Sequence, residues 1–191
     1  MKSQVHHGCS MGDLIITAIQ RGGDRDAFVL ADLHITYREM GRQVSQIIQV
    51  LEGMGLQHGQ TIATLSTNRP HAFLISAVAY VMGLRVVWMN PMSSSDDHLY
   101  QVEDAQVQLL IVEPHSFGDR ALKIVQSVDR PLTVLGLGTW GEQIDVFSLM
   151  EQYKPQPLVS CSQEDDDCVL IYTGGTTGKP KGVLQDRKSV V

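Results

Sequence analysis

Glycine, threonine and lysine residues are concentrated in one short segment near the C-terminal end of the sequence. The segment reads Tyr172-Thr173-Gly174-Gly175-Thr176-Thr177-Gly178-Lys179-Pro180-Lys181-Gly182. Closely spaced glycines let successive backbone N–H groups approach an anion, because no Cβ atom obstructs them. The threonine hydroxyl groups and the lysine ammonium groups add hydrogen-bond donors, and the lysines also add positive charge. The segment therefore predicts a phosphate-binding loop.

The segment differs from the Walker A loop of P-loop NTPases at two positions. The Walker pattern requires a glycine five residues before Gly178, and Thr173 stands there. The pattern also requires a serine or threonine after the lysine to bind Mg²⁺, whereas this sequence has Pro180. We therefore disfavour a P-loop NTPase or kinase.

The elements upstream of this loop must place it where a phosphate can reach it. An apolar run, Cys168–Ile171, directly precedes Tyr172 and predicts a buried strand. Apolar periodicity predicts further strands at 27–30, 33–36, 61–65, 86–89, 107–112 and 132–135, and helices at 11–20, 37–54, 72–82, 117–128 and 144–150. Another helix is predicted to begin at Ser94 or Ser95, and Thr36 with Glu39 predicts a capping box.

The order of these elements predicts the fold class. Strands that alternate with helices at short spacing form a doubly wound α/β fold, in which a mainly parallel sheet carries helices on both faces. Ligands of such sheets bind beyond the carboxyl ends of the strands, which is where the glycine-rich loop follows its strand. We divide the chain into an N-terminal segment with a short helix, residues 1–24, and an α/β domain, residues 25–191.

The glycine-rich segment resembles the signature loop of the adenylate-forming superfamily, which includes acyl-CoA synthetases, adenylation domains of nonribosomal peptide synthetases and luciferases. The usual form of that loop is Y-T-S-G-T-T-G-x-P-K-G, and only Gly174 departs from it, since serine is commoner there. Weaker similarities lie at Ile35–Met40, Asn68–Pro70 and Val87–Pro91. A flexible surface turn would account for the composition of the segment, but not for the fixed order of its residues.

The resemblance implies that the chain is the N-terminal part of the large domain of an adenylate-forming enzyme. Such enzymes use ATP to convert a carboxylic acid to acyl-AMP and then pass the acyl group to a thiol. The implied cofactors are ATP, Mg²⁺ and coenzyme A, and the implied substrate is a small carboxylic acid, most simply a fatty acid. The residues that the resemblance assigns to nucleotide binding are Thr173, Gly174, Gly175, Thr176, Thr177, Gly178, Lys179, Lys181 and Gly182.

Two alternatives stay open beside an acyl-CoA synthetase. The chain resembles peptide-synthetase adenylation domains in the same loop, and it could also be a truncated, catalytically inactive fragment that acts as a binding module. The family's adenine-binding loop, ribose-binding aspartate and C-terminal lysine have no counterpart in this sequence. We therefore expect the chain alone to form no acyl-AMP, and we assign it no catalytic residue and no metal ligand.

Composition narrows the function classes further. The chain has 191 residues, of which 43% are hydrophobic, and its 15 basic and 21 acidic residues give a formal charge of −6. No basic stripe indicates nucleic-acid binding. The longest apolar stretch, Ala72–Val87, is interrupted by Ser76, Gly83 and Arg85 and is too short to cross a bilayer. The three cysteines are an odd number at irregular spacings, which is typical of reduced thiols rather than of a disulfide framework. We therefore expect a cytoplasmic protein.

The remaining polar and apolar residues are assigned structural roles. His6 and His7 lack the spaced partners of a metal site, and the run Glu164–Asp167 predicts a solvated turn. Trp88 and the helix at 72–82 are expected to pack in the core rather than to line an acyl pocket. The single histidines expected at the surface or at helix caps are His58, His71, His98 and His115.

The order of strands and helices, together with the position of the glycine-rich loop near the end of the sequence, also leads us to expect self-association. Residues Val169, Leu170 and Ile171, with part of the helix at 72–82, are predicted to stay uncovered in this chain. Apolar patches of several hundred Å² are seldom left open on monomers, so a second copy of the chain is expected to cover them.

Overall fold

Helices and strands alternate along the chain in the computed structural model, which describes residues 9–174 and 179–186. The elements within these ranges are α1 (Met11–Gly22), β1 (Asp26–Leu30), β2 (Leu33–Thr36), α2 (Tyr37–Gly53), β3 (Thr61–Leu65), α3 (Pro70–Met82), β4 (Arg85–Trp88), α4 (Ser95–Asp104), β5 (Leu109–Val112), α5 (Pro114–Ser127), β6 (Thr133–Gly136), α6 (Val146–Met150), β7 (Asp167–Thr173) and β8 (Lys181–Asp186).

The main sheet has the strand order β6-β5-β3-β4-β7-β8. Strand β3 pairs in parallel with β4 and with β5, and the pairs β4–β7 and β5–β6 are also parallel. Strand β8 pairs antiparallel with β7 at the edge of the sheet. The predicted mainly parallel sheet is confirmed, whereas β8 was not expected from the sequence, since its glycine and lysine residues have little strand propensity.

Helices cover both faces of this sheet. Side chains of Ile62, Val86 and Leu109 point into a core that α2, α3 and α6 close, with α1 packed against its outside. The next residues along the same strands, including Ala63 and Leu110, point into a second core closed by α4 and α5. Successive strand residues face opposite sides, so the two cores confirm the doubly wound layout.

Most of the apolar surface that was expected to stay open is covered within the chain. Val169 and Leu170 are buried in opposite cores, because β7 lies between β4 and β8 rather than at an open side of the sheet. Helix α3 is buried along its length beneath α1 and α2, apart from the half-exposed ring of Phe73. The expectation was therefore wrong for these residues, and Ile171 on β7 remains exposed.

The predicted helix start at Ser94 or Ser95 and the predicted capping box at Thr36 have different outcomes. At the start of α4, Ser94 and Asp97 exchange side-chain hydrogen bonds with each other's backbone N–H groups. At the start of α2, the Thr36 hydroxyl group accepts from the Glu39 N–H at 3.1 Å, as predicted. The Glu39 carboxylate does not return this bond. It accepts instead from Arg42 and Gln43 one turn along the helix, so the box predicted there was half wrong.

Several element boundaries also differ from the predictions by one to three residues, and two of these differences have a clear local cause. Helix α5 begins at Pro114 rather than at Phe117, because proline fits the first position of a helix, where no N–H bond is needed. Strand β5 begins at Leu109 rather than at Val107, since the Val107 N–H donates to the Val102 carbonyl group and closes the end of α4.

His98 is fully buried, which corrects its predicted surface position. Its Nε2 atom donates to the Asn90 carbonyl oxygen at 2.8 Å, and its Nδ1 atom accepts from Arg120 at 3.4 Å. These contacts fit the neutral ring, because a carbonyl group can only accept and a guanidinium group can only donate. Burial lowers the pKa of His98, with a contribution from Arg120, against the raising effects of Asn90 and Asp97.

The acidic turn before β7 is less solvated than predicted. The Asp166 carboxylate accepts from the His58 ring at 2.9 Å and from the Gln163 N–H at 2.7 Å, and 17% of its side chain is exposed. Within the described residues, neither this turn nor any other region brings together three or more histidine, cysteine, aspartate or glutamate residues in a way that could hold a metal ion.

None of the helices in residues 9–174 and 179–186 combines the length and the apolar character that spanning a membrane would require.

Candidate phosphate-binding site

The glycine-rich segment joins two neighbouring strands at the carboxyl edge of the sheet. Strand β7 ends at Thr173, and β8 returns antiparallel from Lys181. The carboxyl ends of the parallel strands β3, β4 and β5 open to the same edge. Both ends of the segment therefore lie at the edge where ligands of doubly wound sheets bind.

The predicted site residues are distributed over the hairpin formed by β7 and β8. Thr173 is exposed, and its hydroxyl group is 3.4 Å from the Lys181 carbonyl oxygen. Gly174 and Lys179 are also exposed, whereas Lys181 and Gly182 belong to β8 rather than to the loop. Gly175, Thr176, Thr177 and Gly178 lie outside the described residues. The role of all these residues in nucleotide binding stays a prediction.

Two glycines of the hairpin, Gly174 and Gly182, differ in how much space a side chain would have. A Cβ atom added at Gly174 would meet no atom within 4 Å, so packing in this structure does not exclude the serine that is commoner in the family. A Cβ atom at Gly182 would lie 2.9 Å from the Leu170 side chain and 3.4 Å from the Tyr172 ring. The glycine at position 182 therefore lets β8 pack closely on β7.

Helix α4 contacts the hairpin on both sides of the loop. Before the loop, the Tyr172 hydroxyl group donates to Asp104 Oδ2 at 2.5 Å. After the loop, the Lys179 ammonium group lies 5.1 Å from the centroid of the Tyr100 ring. The rings of Tyr100 and Tyr172 meet edge to face at 6.2 Å. Sequence reasoning missed these contacts, because Asp104 and Tyr172 are 68 residues apart in the sequence.

The environment of Tyr172 keeps its hydroxyl group protonated. Burial raises the pKa of Tyr172 well above its ordinary value, and the hydrogen bond to Asp104 and the charge of that carboxylate raise it further. Tyr100 adds to this shift and Arg85 opposes it. Tyr172 is therefore a hydrogen-bond donor at neutral pH rather than a base.

A small polar cavity of about 230 Å³ lies between α4 and the hairpin. Its lining includes Asn90, Gln101, Tyr172 and Gly174. Gln101 is 3% exposed, and its Oε1 atom accepts no hydrogen bond from the described residues. The cavity gives polar ligand groups or water access to the start of the phosphate loop.

A buried carboxylate lies at the same sheet edge, between the ends of β3 and β5. Glu113 is 3% exposed, and its Oε2 atom accepts from the Thr67 N–H at 2.9 Å and from the Thr67 hydroxyl group at 2.6 Å. Arg69 completes an ion pair with Oε1 at 3.0 Å. The sequence signal was an acidic residue between a buried strand and the helix-starting Pro114, and our sequence analysis overlooked it.

The charge of Glu113 is stabilised by its partners. Burial alone would raise the pKa of Glu113, but the hydrogen bonds from Thr67 and Ser116 and the charge of Arg69 together lower it below its ordinary value. The carboxylate therefore stays ionised and ties the β3–α3 connection to the start of α5. This arrangement shapes the edge without exposing the carboxylate to a ligand.

Trp88, at the end of β4, is partly buried, which agrees with the expected packing in the core. It packs against the core beneath α3, and it also lines a surface cavity of about 490 Å³ together with Phe28 and Phe73. The rings of Phe28 and Phe73 meet edge to face at 5.3 Å. The cavity is apolar and lies beside the β1–β2 hairpin.

Two curated ligases are similar to this chain in sequence. The chain is 32% identical over 197 aligned residues to medium/long-chain-fatty-acid–CoA ligase FadD8 of Mycobacterium tuberculosis, covering 100% of this chain and 34% of the relative. It is 28% identical to 2-succinylbenzoate–CoA ligase of Bacillus licheniformis, covering 85% of this chain and 31% of the relative. The chain thus spans about a third of the length of these curated relatives.

A solved structure shows the same fold. The anthranilate CoA ligase AuaEII, in complex with anthranoyl-AMP, superposes with a TM-score of 0.84 at 19% identity, over 94% of this chain and 34% of that protein. At this identity the likeness concerns the fold. The sequence itself matches the family described as AMP-binding enzyme over residues 16–191, a match that includes the two sheet faces and the phosphate-loop hairpin. On that match, the chain belongs to the AMP-binding enzyme family.

Proposed function

We propose that this chain supplies the phosphate-binding loop of an ATP-dependent acid–CoA ligase. The proposed reaction joins a carboxylic acid to AMP with release of pyrophosphate, and then transfers the acyl group to coenzyme A. The observation that carries the proposal is the signature segment from Tyr172 to Gly182, presented at the carboxyl edge of the sheet in a chain of this family.

The substrate class and the location form the finer part of the proposal. The name of the M. tuberculosis relative points to a medium- or long-chain fatty acid, and that of the B. licheniformis relative to an aromatic acid. We favour a fatty acid, because the first of these relatives is aligned over the whole of this chain at the higher identity. We further propose that the enzyme works in the cytoplasm.

The exposed donors of the hairpin suit a polyphosphate. The Thr173 hydroxyl group and the backbone beside Gly174 would contact the β- and γ-phosphates of ATP, which enters as its Mg²⁺ complex. Lys181 and Lys179 would offset the negative charge that grows as pyrophosphate leaves. Lys181 begins β8 opposite Thr173, so its backbone is held by the sheet, whereas Lys179 precedes the strand.

Calorimetric titration of the chain with ATP and Mg²⁺ tests this proposal directly. We expect Lys181→Ala to weaken ATP binding roughly tenfold or more, since a charge-assisted hydrogen bond is lost, and Lys179→Ala to weaken it less. Lys154→Ala removes an exposed lysine outside the hairpin and serves as the matched control. Equal and small effects of all three substitutions would contradict the assigned roles.

Pyrophosphate exchange with a panel of fatty and aromatic acids tests acid activation. We expect the chain alone to stay at the level of a protein-free blank, and turnover above that blank would show that these residues suffice. In an enzyme form that is active in exchange, Lys181→Ala should lower adenylation roughly 10²-fold. Offering coenzyme A and a carrier-protein thiol side by side separates an acyl-CoA synthetase from a peptide-synthetase adenylation domain.

A further inference from the structure

Helix α4 turns one polar side toward the phosphate-loop hairpin. Gln101 follows Asp97 by four residues, and Asp104 follows Tyr100 by four and Gln101 by three, which places all of these residues on one side of the helix. Asp97 and Gln101 line the small polar cavity beside the hairpin, and the other two residues contact the hairpin itself. The nucleotide-binding roles proposed above use none of these four side chains.

The Asp104 carboxylate is held between two tyrosines. Its Oδ2 atom accepts from Tyr172 at 2.5 Å, and its Oδ1 atom accepts from Tyr100 at 3.3 Å. A short hydrogen bond to an ionised acceptor belongs to the stronger class of hydrogen bonds in proteins. Tyr172 directly precedes Thr173 and Gly174, so this bond fixes the end of β7 from which the loop departs.

The other side of the loop meets the same helix. Lys179 follows the loop, and its ammonium group lies over the face of Tyr100 at a distance typical of cation–π contacts. Helix α4 therefore contacts the residue that enters the loop and a residue that leaves it. These contacts join parts of the sequence that are 68 residues or more apart, as in the bond between Asp104 and Tyr172.

We propose that α4 positions the two ends of the phosphate loop for polyphosphate binding. Asp104 holds Tyr172 through its hydrogen bond, and the Tyr100 ring holds the Lys179 ammonium group through the cation–π contact. The inference rests on the proposed function, because it concerns the same loop. The charge of Asp104 by itself repels a polyphosphate. Asp104 therefore favours anion binding only by holding Tyr172, and with it the start of the loop, in position. Donors that are already in place need no reordering when the ligand binds.

Substitutions at Asp104 separate position from charge. Asp104→Ala removes both the hydrogen-bond acceptor and the charge, whereas Asp104→Asn removes the charge and keeps an acceptor. We expect Asp104→Ala to weaken pyrophosphate and ATP binding by the chain about five- to tenfold, and Asp104→Asn to leave it within about twofold of the wild type or to strengthen it. If charge alone mattered, both substitutions would strengthen binding equally.

Glu103 provides the matched control. It lies next to Asp104 at the exposed end of α4, and Glu103→Ala and Glu103→Gln remove the same charge one residue away. Both controls are expected to stay within about twofold of the wild type or to bind slightly more tightly. An Asp104→Ala variant that binds as tightly as Glu103→Ala would overturn the inference.

The contact with Tyr172 is tested by a double substitution. We expect Tyr172→Phe to weaken binding by about the same factor as Asp104→Ala, and the double variant to lose no more than the weaker-binding single variant, because one bond is removed in each case. Losses that multiply in the double variant would show two independent effects and would overturn the proposed route through Tyr172.

A readout without nucleotide separates this inference from the proposed function. In the chain labelled with carbon-13 at the tyrosine ring carbon that bears the hydroxyl group, we expect Tyr172 to ionise well above pH 10 in the wild type and at lower pH in Asp104→Ala, with no change in Glu103→Ala. If the wild type binds neither ATP nor pyrophosphate but shows this shift, the proposed function fails and the positioning of the hairpin by α4 stands. Identical Tyr172 titration in the wild type and in Asp104→Ala would overturn the positioning.

Discussion

Strands β3 and β8 have the same backbone conformation and opposite surroundings. All five residues of β3 are buried, and the strand pairs on both sides with parallel neighbours. The first four residues of β8 are exposed, and the strand pairs along one side with β7. Strand β3 organises the two cores, and β8 exposes its side chains beside the candidate phosphate-binding site. The comparison indicates that the buried strand carries most of the stability, whereas the edge strand contributes little to the core.

The largest expected difference in stability is between two leucine substitutions, one beside the buried strands and one in the exposed strand β8. Leu74, in α3 above the buried strands, is 0% exposed, whereas Leu184 in β8 is 49% exposed. We expect Leu74→Ala to lower the free energy of unfolding by about 2–5 kcal/mol, because it leaves a cavity in a packed core. The same substitution at Leu184 should cost less than about 1 kcal/mol. Urea unfolding of both variants would contradict the comparison if the costs were equal.

The buried carboxylate beside β3 is expected to have the next largest effect. Because the pKa of Glu113 is lowered in the folded state, its stabilisation is present above the unfolded pKa of a glutamate and is lost as the pH falls through the folded value. We expect Glu113→Gln to lower the free energy of unfolding by about 1–3 kcal/mol at pH 7, and the difference from the wild type to shrink below roughly pH 4.

Exposed Glu142 supplies the control for that pH dependence. Glu142→Gln is expected to change the free energy of unfolding by less than about 0.5 kcal/mol at either pH. A loss in Glu113→Gln that stays constant from neutral to acidic pH would show that the ionised carboxylate is not responsible for it.

A smaller effect is expected from His98, the buried histidine in the first half of α4. Since burial lowers the pKa of His98, the unfolded chain binds more protons, and stability falls as the pH drops through the ordinary histidine value. The wild type is expected to lose part of its free energy of unfolding between pH 7 and pH 5.5. We expect this loss to be about 1 kcal/mol smaller in His98→Gln. His71, whose pKa burial also lowers, would account for part of the remainder. His115→Gln, a substitution at an exposed histidine, serves as the matched control.

The smallest effect on the free energy of unfolding is expected at the edge strand β8. There we expect substitutions to change the self-association of the chain instead. Ile171, Val183 and Leu184 are 37%, 46% and 49% exposed. We propose that these residues mediate weak self-association of the chain. Leu184→Lys should change the free energy of unfolding by less than about 0.5 kcal/mol and make the chain monomeric in sedimentation at micromolar concentration. A wild type that is already monomeric under these conditions would remove the basis for this proposal.

Much of the fold could be predicted from the sequence because its signals are local. The strand at 61–65, the helix that ends before Gly83 and the helix start at Ser94 follow from apolar periodicity, a left-handed glycine and a capping serine within a few residues of each boundary. The signature of the candidate phosphate loop is equally local, since it lies in eleven consecutive residues. The sequence alone thus determined the fold class, the family resemblance and the candidate ligand.

Only the tertiary structure decided how these parts meet. The bond between Tyr172 and Asp104, the ion pair between Arg69 and Glu113, and the burial of His98 each depend on the order in which the strands pair in the sheet. Periodicity reports which face of an element is apolar, but it carries no information on which distant polar residue lies opposite. Hydrogen bonds between such residues form only after the apolar faces have packed, because the core fixes the geometry that brings donor and acceptor together.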